Sequence, residues 1–361
     1  MKKTNISHKN SDLNSILSTH LKGMLNLSRI KFISMFIIAL SKAQTVNFSK
    51  LSIAFDTEAK SESSLRRIQR FIAKYSFNSD IIARLIFNLL PSQEKLVLTI
   101  DRTNWKFGKF DINIFMLGIA YQGVAFPLLF TMLPKRGNSN SQERISLINR
   151  YISLFGKETI DCIVADREFV GHKWLAFLNE ENIRYYIRIK NNFKVLIPHK
   201  NKTVKVFWLF NSYKINEFII YSKIVNINGQ LCYISGCKSH KGEFLILVSY
   251  NKPENSKEYY KQRWQIEMCF KAMKTSGFDI EKTHLQDTER IEKLLLLVMI
   301  AFVWCYKVGI HLHENVKKID IKKHGRKAIS IFKYGLKYIA NCLLNSKMKS
   351  DFNIFQFLSC T

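Results

Sequence analysis

The sequence predicts an α/β fold in which a mixed sheet core carries a β-rich insertion and is flanked by helical regions at both ends. Three observations predict it. Continuous apolar runs alternate with amphipathic runs between residues 95 and 190, which is typical of strands that alternate with helices. Short β-type runs separated by turn residues fill residues 191–250. Apolar residues at helical spacing dominate residues 1–92 and 286–361.

The N-terminal region is basic as well as helical. Helical spacing indicates helices near 12–27, 29–42, 63–74 and 80–90. The third helix, SLRRIQRFIAKY, carries Arg66, Arg67 and Arg70. Several short helices that end in an Arg-rich one suit a small DNA-binding domain of the helix-turn-helix type. The alternative is a helical bundle with a solvated basic face.

Two strands of the predicted core end in an aspartate. KLVLTID (95–101) ends at Asp101 and TIDCIVAD (159–166) ends at Asp166. Ligands of open α/β sheets bind outside the carboxyl ends of the strands. The rest of this part is predicted as a hairpin around Gly123, helices over 141–155 and 173–182, and a strand over 184–190.

The charge of the chain indicates what these aspartates face. The 361 residues include 56 Lys and Arg but 28 Asp and Glu, so the formal net charge is +28. This excess favours a polyanionic partner such as nucleic acid, with a membrane-surface protein or a ribosome-like binder as alternatives. Two strand-end carboxylates in such a chain predict a Mg²⁺ site that faces phosphate. Alternatively, each aspartate caps the turn that follows it.

Several classes of protein are disfavoured. The seven Cys residues include no CxxC pair, which argues against a disulfide framework and a zinc ribbon. The polar N-terminus lacks the apolar region of a signal peptide. The most apolar run, Leu294 to Tyr306, has 13 residues, whereas a membrane span needs about 20. We therefore expect a buried core helix there, and a soluble protein with reduced thiols.

A predicted helix over 254–275 presents four side chains along one stripe. Tyr260, Arg263, Glu267 and Lys274 stand at offsets of 0, 3, 7 and 14 residues. At about 100° per residue they fall within about 60° of one another, over roughly 21 Å of helix. One acid among an aromatic and two cations suits a DNA strand that enters a metal site. The alternative is a surface stripe with an ordinary Arg263–Glu267 ion pair.

This spacing resembles the Y-R-E-K signature of bacterial insertion-sequence transposases with a DDE catalytic triad. TIDRTNW (99–105) resembles the motif of their first aspartate and VADREF (164–169) that of their second. The resemblance covers roughly residues 95–280. It implies a ribonuclease-H-like catalytic fold with a β-rich insertion between the second aspartate and the glutamate.

The resemblance also implies a mechanism. Asp101, Asp166 and Glu267 are the expected catalytic residues, and they hold two Mg²⁺ ions, with Mn²⁺ as a substitute. The expected partners are double-stranded DNA, as inverted-repeat transposon ends and target DNA, and a second copy of the chain in a synaptic homodimer. No membrane is expected, and the location is the bacterial cytoplasm, at the nucleoid when DNA is bound.

DNA contacts are expected from Tyr260, Arg263 and Lys274, and from the three arginines of the third helix. Phe244 is the nearest match to an aromatic residue that holds a flipped base in relatives, and Trp208 is a less well-placed candidate. Alternative interpretations of the function are a ribonuclease-H-like endonuclease or resolvase that cuts DNA without joining it, and an inactive transposase-derived DNA-binding protein.

The domain organisation follows from these assignments. The expected ranges are a helical DNA-binding domain over 1–92, the first part of the catalytic domain over 93–190, the β-rich insertion over 191–250, the second part of the catalytic domain with the glutamate helix over 251–285, and a helical C-terminal region over 286–361.

Overall fold

The computed structural model describes residues 4–75, 78–91, 95–107, 110–323, 325–345 and 352–359, without the side chains of residues 4–10, 107 and 276. The chain divides into two compact units. We call Met1–Pro91, Trp105–Ile112 and Phe270–Thr361 the helical unit, and Ser92–Asn104 and Asn113–Cys269 the sheet unit. The five domain ranges expected from the sequence stay a prediction.

The described residues form a mixed sheet of 11 strands, and the predicted fold class is confirmed. The order is β3-β2-β1-β4-β5-β11-β10-β9-β6-β7, with β8 paired to β10. The strands are β1 (Leu96–Phe107), β2 (Phe110–Tyr121), β3 (Val124–Met132), β4 (Ile160–Ala165), β5 (Tyr185–Ile189), β6 (Lys194–Ile197), β7 (Lys202–Lys205), β8 (Ile219–Ile220), β9 (Val225–Ile227), β10 (Gln230–Lys238) and β11 (Phe244–Ser249).

The sheet changes direction along this order. β1, β4 and β5 are parallel neighbours, whereas β2 and β3 form the predicted antiparallel hairpin. Its turn places Gln122 at φ 48° and Gly123 at φ 97°, the left-handed backbone of the tight turns that suit hairpins. On the other side, β11 pairs antiparallel with β5. Strands of the β-rich insertion therefore continue the core sheet.

Eleven α-helices lie in the described residues. They are α1 (Thr4–Leu21), α2 (Leu27–Ala43), α3 (Phe48–Ile53), α4 (Ser61–Lys74), α5 (Ser79–Asn88), α6 (Ser141–Phe155), α7 (His172–Glu180), α8 (Ser256–Lys261), α9 (Trp264–Lys271), α10 (Thr288–His311) and α11 (Ile331–Leu344). The four N-terminal helices predicted from spacing are confirmed, although α1 begins and ends earlier than expected. The short helix α3 was not predicted.

Two local predictions are wrong. β1 does not end at Asp101 but continues to Phe107, past its parallel ladder with β4, which reaches Ile100; β2 is its other neighbour in the sheet. The single helix over 254–275 is interrupted after α8, where Arg263 N donates to Tyr260 O and Gln265 N donates to Gln262 O. These bonds span three residues, which tightens the turn. Residues Ala272–Ser276 then form a π-helical turn.

In the helical unit, α10 is the central core helix and contacts α2, α4, α5 and α11. Together with the turn that follows it, Thr288–Val316 is long and apolar enough to cross a membrane by length and composition. However, 83% of its most apolar window is buried inside the protein. The predicted buried core helix is therefore confirmed.

Candidate active site

Three neighbouring parallel strands place a row of polar side chains on one face of the sheet. Val164 on β4 lies opposite Thr99 on β1 and Tyr186 on β5. α8 packs on this face, where the Tyr259 and Tyr186 rings stack with centroids 5.4 Å apart. Side chains alternate between faces along a strand, so the residues two positions further share this face. They are Asp101, Asp166 and Arg188.

Asp101 and Asp166 have the same local geometry. Arg102 N donates to Asp101 Oδ1 and Arg167 N donates to Asp166 Oδ1, each at 2.7 Å. The preceding residues Ile100 and Ala165 are register partners, and neighbouring strands lie about 4.8 Å apart. The two aspartates are therefore held side by side.

The electrostatic surroundings of Asp101 include the predicted glutamate. Burial raises the pKa of Asp101 to about 7. The Arg102 amide and the Arg263 charge lower this pKa, and the carboxylates of Glu168 and Glu267 raise it further. Asp101 is therefore a half-buried acid within electrostatic reach of Glu267.

A forked ion pair links Arg102 of β1 to Glu168 in the segment that follows β4. Arg102 Nε and Nη2 donate to Glu168 Oε1 and Oε2 at 3.1 and 3.2 Å. Arg102 Nη1 donates to Asn113 Oδ1 at 3.1 Å, and Nη2 donates to Asn138 Oδ1 at 2.9 Å. Because protein groups already accept from all three nitrogens, Arg102 has a structural role here.

A second arginine fixes the segment after β4. The Arg144 side chain is buried and donates from Nη2 to Glu168 O at 3.0 Å and from Nε to Ser139 Oγ at 2.9 Å. Its guanidinium lies 5.0 Å from the centroid of the fully buried Phe169 ring. Phe169 N closes a turn by donating to Asp166 O at 3.0 Å. The turn that carries Asp166 is therefore anchored on several sides.

The junction of α8 and α9 brings the predicted glutamate to this face. Arg263 Nη1 donates to Glu267 Oε1 at 2.5 Å, and the Arg263 guanidinium lies 5.9 Å from the Tyr260 ring and 5.3 Å from the Trp264 ring. Thr99 Oγ1 lies 3.5 Å from Arg263 O. Three members of the predicted stripe therefore meet beside β1.

The Tyr260 hydroxyl is surrounded by the charges of this site. Burial raises the pKa of Tyr260 well above its ordinary value. The charges of Arg263, Asp166, Arg188 and Glu267 also act on it. The phenol therefore stays protonated at neutral pH and can donate a hydrogen bond.

Lys274, the fourth member of the stripe, belongs to the helical unit and lies in the π-helical turn. Its Nζ pairs with Glu281 Oε1 at 2.6 Å and lies 5.6 Å from the centroid of the Trp105 ring. The geometry expected for the whole stripe is therefore wrong, because the helix that was to carry it is not continuous. A DNA contact by Lys274 stays a prediction.

The predicted arginines of α4 are exposed. Arg66, Arg67 and Arg70 all lie on its outer surface, and the Arg67 guanidinium lies 5.7 Å from the centroid of the Phe32 ring. Their contact with DNA stays a prediction.

Phe244 and Trp208 belong to one aromatic cluster in the insertion. Phe207 stacks with Trp208 at 5.2 Å and contacts Phe244 at 5.9 Å between ring centroids. Lys238 Nζ lies 5.8 Å from the Phe244 ring centroid. Phe244 is half-buried, whereas Trp208 is 62% exposed. Trp208 is therefore the most exposed ring of this cluster, and the contact of Phe244 with a flipped base stays a prediction.

The acids do not form a closed metal cluster as they stand. Among the residues that the structure describes, no three His, Cys, Asp or Glu side chains are grouped so that they could hold a metal ion. Glu267 is instead bound by Arg263. The assignment of Asp101, Asp166 and Glu267 as metal ligands stays a prediction.

Sequence reasoning missed Arg188 and the linking role of Glu168. The strand RYYIRIK was recognised, and its register beside Asp166 could have identified Arg188 as the cation at the end of a third parallel strand. No sequence signal pairs Glu168 with Arg102, because their contact depends on how the segments after Asp101 and Asp166 fold.

Residues 92–304 match the model of a family described as the transposase DDE domain. The match covers more than half of the chain. This chain belongs to that family.

Asp101, Asp166 and Glu267 all lie in the matched region of this DDE transposase. Among curated proteins, none matches the chain. A solved structure, the cryo-EM structure of a piggyBac transposase synaptic complex with hairpin DNA, is similar with a TM-score of 0.47 and 12% identity. The similarity covers 94% of this chain and 77% of that one.

Proposed function

We propose that this DDE transposase cleaves the ends of a transposon and joins the freed 3′-OH to target DNA, using two divalent metal ions. The observation that carries the proposal is the placement of Asp101 and Asp166 side by side on one sheet face, with Glu267 in electrostatic reach of Asp101. Two bound Mg²⁺ ions would activate the attacking oxygen and stabilise the leaving 3′-oxygen. Mn²⁺ is the expected substitute.

The donor set fits hard divalent cations. Mg²⁺ prefers carboxylate oxygens together with water and phosphate oxygens. Partial burial raises the pKa of Asp101 to about 7, and an opposite charge nearby would favour its ionised form. Asp101 and Asp166 each receive one backbone hydrogen bond on Oδ1, which leaves carboxylate lone pairs available to a cation.

Glu267 completes the site once its ion pair with Arg263 is broken. The Arg263–Glu267 ion pair is partly buried, with side-chain exposures of 10% and 32%. A DNA phosphate can accept two parallel hydrogen bonds from the Arg263 guanidinium, whereas Glu267 accepts one from it. We propose that phosphate takes over Arg263 and frees Glu267 to turn toward Asp101, so that DNA binding assembles the complete site.

Other residues of the site orient the strand. The protonated Tyr260 hydroxyl donates to a phosphate oxygen near the reacting centre. Arg102 and Glu168 hold the two aspartates in place through their fork. In the insertion, Trp208 offers an exposed ring on which an unpaired base can stack. Phe244 belongs to the same aromatic cluster through its contact with Phe207.

The proposed partners are double-stranded transposon ends, target DNA and a second copy of the chain. The formal net charge of +28 supports a polyanionic partner. Arg66, Arg67 and Arg70 are proposed to bind the DNA backbone from α4, with Lys274 contributing once its ion pair is exchanged. A bacterial cytoplasmic location, at the nucleoid when DNA is bound, belongs to the same proposal.

A strand-transfer assay tests this function. A duplex that carries a candidate end from the inverted repeats flanking the gene is supplied pre-cleaved, with a free 3′-OH, together with a supercoiled plasmid and Mg²⁺. We expect joined products, and none with EDTA. Hydrolysis without joining would instead identify a ribonuclease-H-like nuclease, and end binding without either reaction would identify an inactive DNA-binding protein.

A further inference from the structure

A basic hairpin lies between α10 and α11 in the helical unit. We use this name for residues 317–330, of which six are Lys or Arg and one is acidic, whereas the whole chain has 56 Lys and Arg in 361 residues. Ile321 and Lys327 form an isolated antiparallel bridge. Next to this bridge, Lys322 N donates to Arg326 O at 2.8 Å. The segment therefore folds back on itself as a short two-stranded ribbon.

The base of the basic hairpin is fixed, and the rest of it is exposed. Ile319 is buried, and its backbone N donates to His313 Nδ1 at 2.9 Å. The Tyr334 hydroxyl of α11 donates to Lys317 O at 3.4 Å. Every other described residue from Lys317 to Ala328 is exposed. The hairpin thus holds its cations in a defined place, and a partner that binds them does not first have to order the chain.

The cations of the basic hairpin outnumber its acids and do not pair with them. Among the residues that the structure describes, no ion pair forms on five of these cations, which are Lys317, Lys318, Lys322, Lys323 and Lys327. Partial burial and the charges of Lys327 and Lys318 lower the pKa of His313, while Glu314 raises it. These two lysines, one from each arm of the hairpin, therefore act on the same point. Like charges this close repel one another, and the repulsion is relieved when a polyanion binds.

The shape of the basic hairpin suits duplex DNA among polyanions. The major groove admits a two-stranded ribbon, and phosphates then line both edges of that ribbon. Ile321 is 70% exposed, and an apolar side chain in the major groove can contact the methyl group of thymine. The match to the transposase DDE domain also favours DNA over other polyanions.

We propose that the basic hairpin binds phosphates of duplex DNA through its lysines, in a contact that involves none of the active-site acids, which belong to the sheet unit. This proposal rests on the proposed function, because that function makes DNA the partner of the chain. It adds a DNA contact in a part of the chain that lies beyond the family match, which ends at residue 304, and outside the sequence motifs.

The test compares two double variants that lose the same charge. Lys322→Gln/Lys323→Gln removes two exposed cations from the basic hairpin. Lys157→Gln/Lys282→Gln is the matched control, because both of its lysines are exposed but each pairs with an acid. Binding of both variants and the wild type to a duplex that carries the candidate transposon end is measured in EDTA, by fluorescence anisotropy at several salt concentrations. A second duplex of equal length and unrelated sequence is measured in parallel.

Each phosphate contact contributes about 0.9 to the slope of log Kobs against log salt. We expect the hairpin variant to lower that slope by about one to two contacts, and the control to keep the wild-type slope. A loss on both duplexes identifies a contact that also serves target DNA, and a loss on the transposon end alone identifies a contact specific to that end. An unchanged slope on both duplexes, or an equal loss in the control, would overturn the proposal.

The same series separates this proposal from the proposed function. If the wild-type chain binds DNA but neither cleaves nor joins the end, the proposed chemistry fails while the slopes still decide the role of the hairpin. If the wild-type chain cleaves and joins while the hairpin variant keeps the wild-type slope, only the hairpin contact is wrong. If the wild-type chain shows no salt-dependent binding to either duplex, both are overturned.

Discussion

Arg102 donates from Nε and Nη2 to the two carboxylate oxygens of Glu168, at 3.1 and 3.2 Å. This fork joins the residue after Asp101 to the residue two positions after Asp166. Strand β1 and the segment after β4, which are far apart in the sequence, are therefore joined next to the proposed metal ligands.

Glu168→Gln should slow DNA cleavage by about 10–100-fold, the range typical of residues that orient metal ligands. The amide can accept only one of the two hydrogen bonds from Arg102, so the aspartates lose part of their alignment. Initial cleavage rates in Mg²⁺ measure the effect. The double variant Arg102→Lys/Glu168→Gln should be no slower than the worse single variant, because the pair acts as a unit.

Glu181→Gln is the control for that change. Glu181 pairs with Lys157 at 3.1 Å on the surface of the same unit, with both side chains well exposed. Its cleavage rate should match the wild type. A wild-type rate for Glu168→Gln as well would show that the fork does not align the site.

Asp101 should make the metal-free protein less stable as the pH rises. Burial raises its folded-state pKa to about 7, so the folded protein binds the proton more tightly than the unfolded chain. Stability from this group is therefore complete below about pH 4 and falls until about pH 7. Asp101→Asn removes this dependence. In EDTA its melting temperature should exceed that of the wild type at pH 8 by a few degrees.

The difference should vanish near pH 4 and shrink at pH 8 when Mn²⁺ is added, because the cation stabilises the ionised carboxylate of the wild type. Thermal melts at several pH values measure this. Equal melting temperatures at pH 8 in EDTA would mean that the pKa of Asp101 is not raised in the folded protein.

Arg263→Gln should separate metal binding from DNA cleavage. Without the guanidinium, Glu267 is free to turn toward Asp101, so Mn²⁺ should bind several-fold more tightly in the absence of DNA. Cleavage should nevertheless fall, because the phosphate contact is lost. Calorimetric titration with Mn²⁺ and a cleavage assay measure the two effects. Weaker Mn²⁺ binding by this variant would contradict the proposed exchange of Arg263 between Glu267 and phosphate.

Trp208→Ala should weaken stacking of an unpaired base without affecting the fold. The ring is 62% exposed, so the melting temperature should stay unchanged. Loss of one base–aromatic stack costs about 1–3 kcal/mol, which corresponds to roughly 5–150-fold in affinity for an unpaired base. The fluorescence of 2-aminopurine placed at the terminal positions of the duplex reports this stacking.

Phe244→Ala is the comparison. This half-buried ring contacts Phe207, so we expect its loss to lower stability and to affect stacking only indirectly. A larger stacking defect in Phe244→Ala than in Trp208→Ala would restore Phe244 as the base-contacting residue.

Local patterns predicted the elements well where a local interaction fixes them. α6 begins at Ser141 because Asn140 and Glu143 form a capping box, and the hairpin turn at Gly123 follows from the backbone that glycine allows. The apolar run before Asp166 likewise predicted the strand that leads to it.

Tertiary contacts decided what the sequence did not predict. β1 continues past Asp101, beyond its ladder with β4, with β2 as its other neighbour in the sheet. The helix over 254–275 is interrupted at Arg263, whose side chain is buried and whose carbonyl lies against Thr99. Arg188 joins the site through strand register, which spacing within one segment cannot reveal.

The most direct test of the central claim is cleavage of a duplex bearing the transposon end by Asp101→Ala in Mg²⁺, with end binding measured in parallel. We predict that cleavage is abolished while binding stays close to that of the wild type. Cleavage at an undiminished rate by this variant would contradict the assignment of Asp101 to the catalytic metal site.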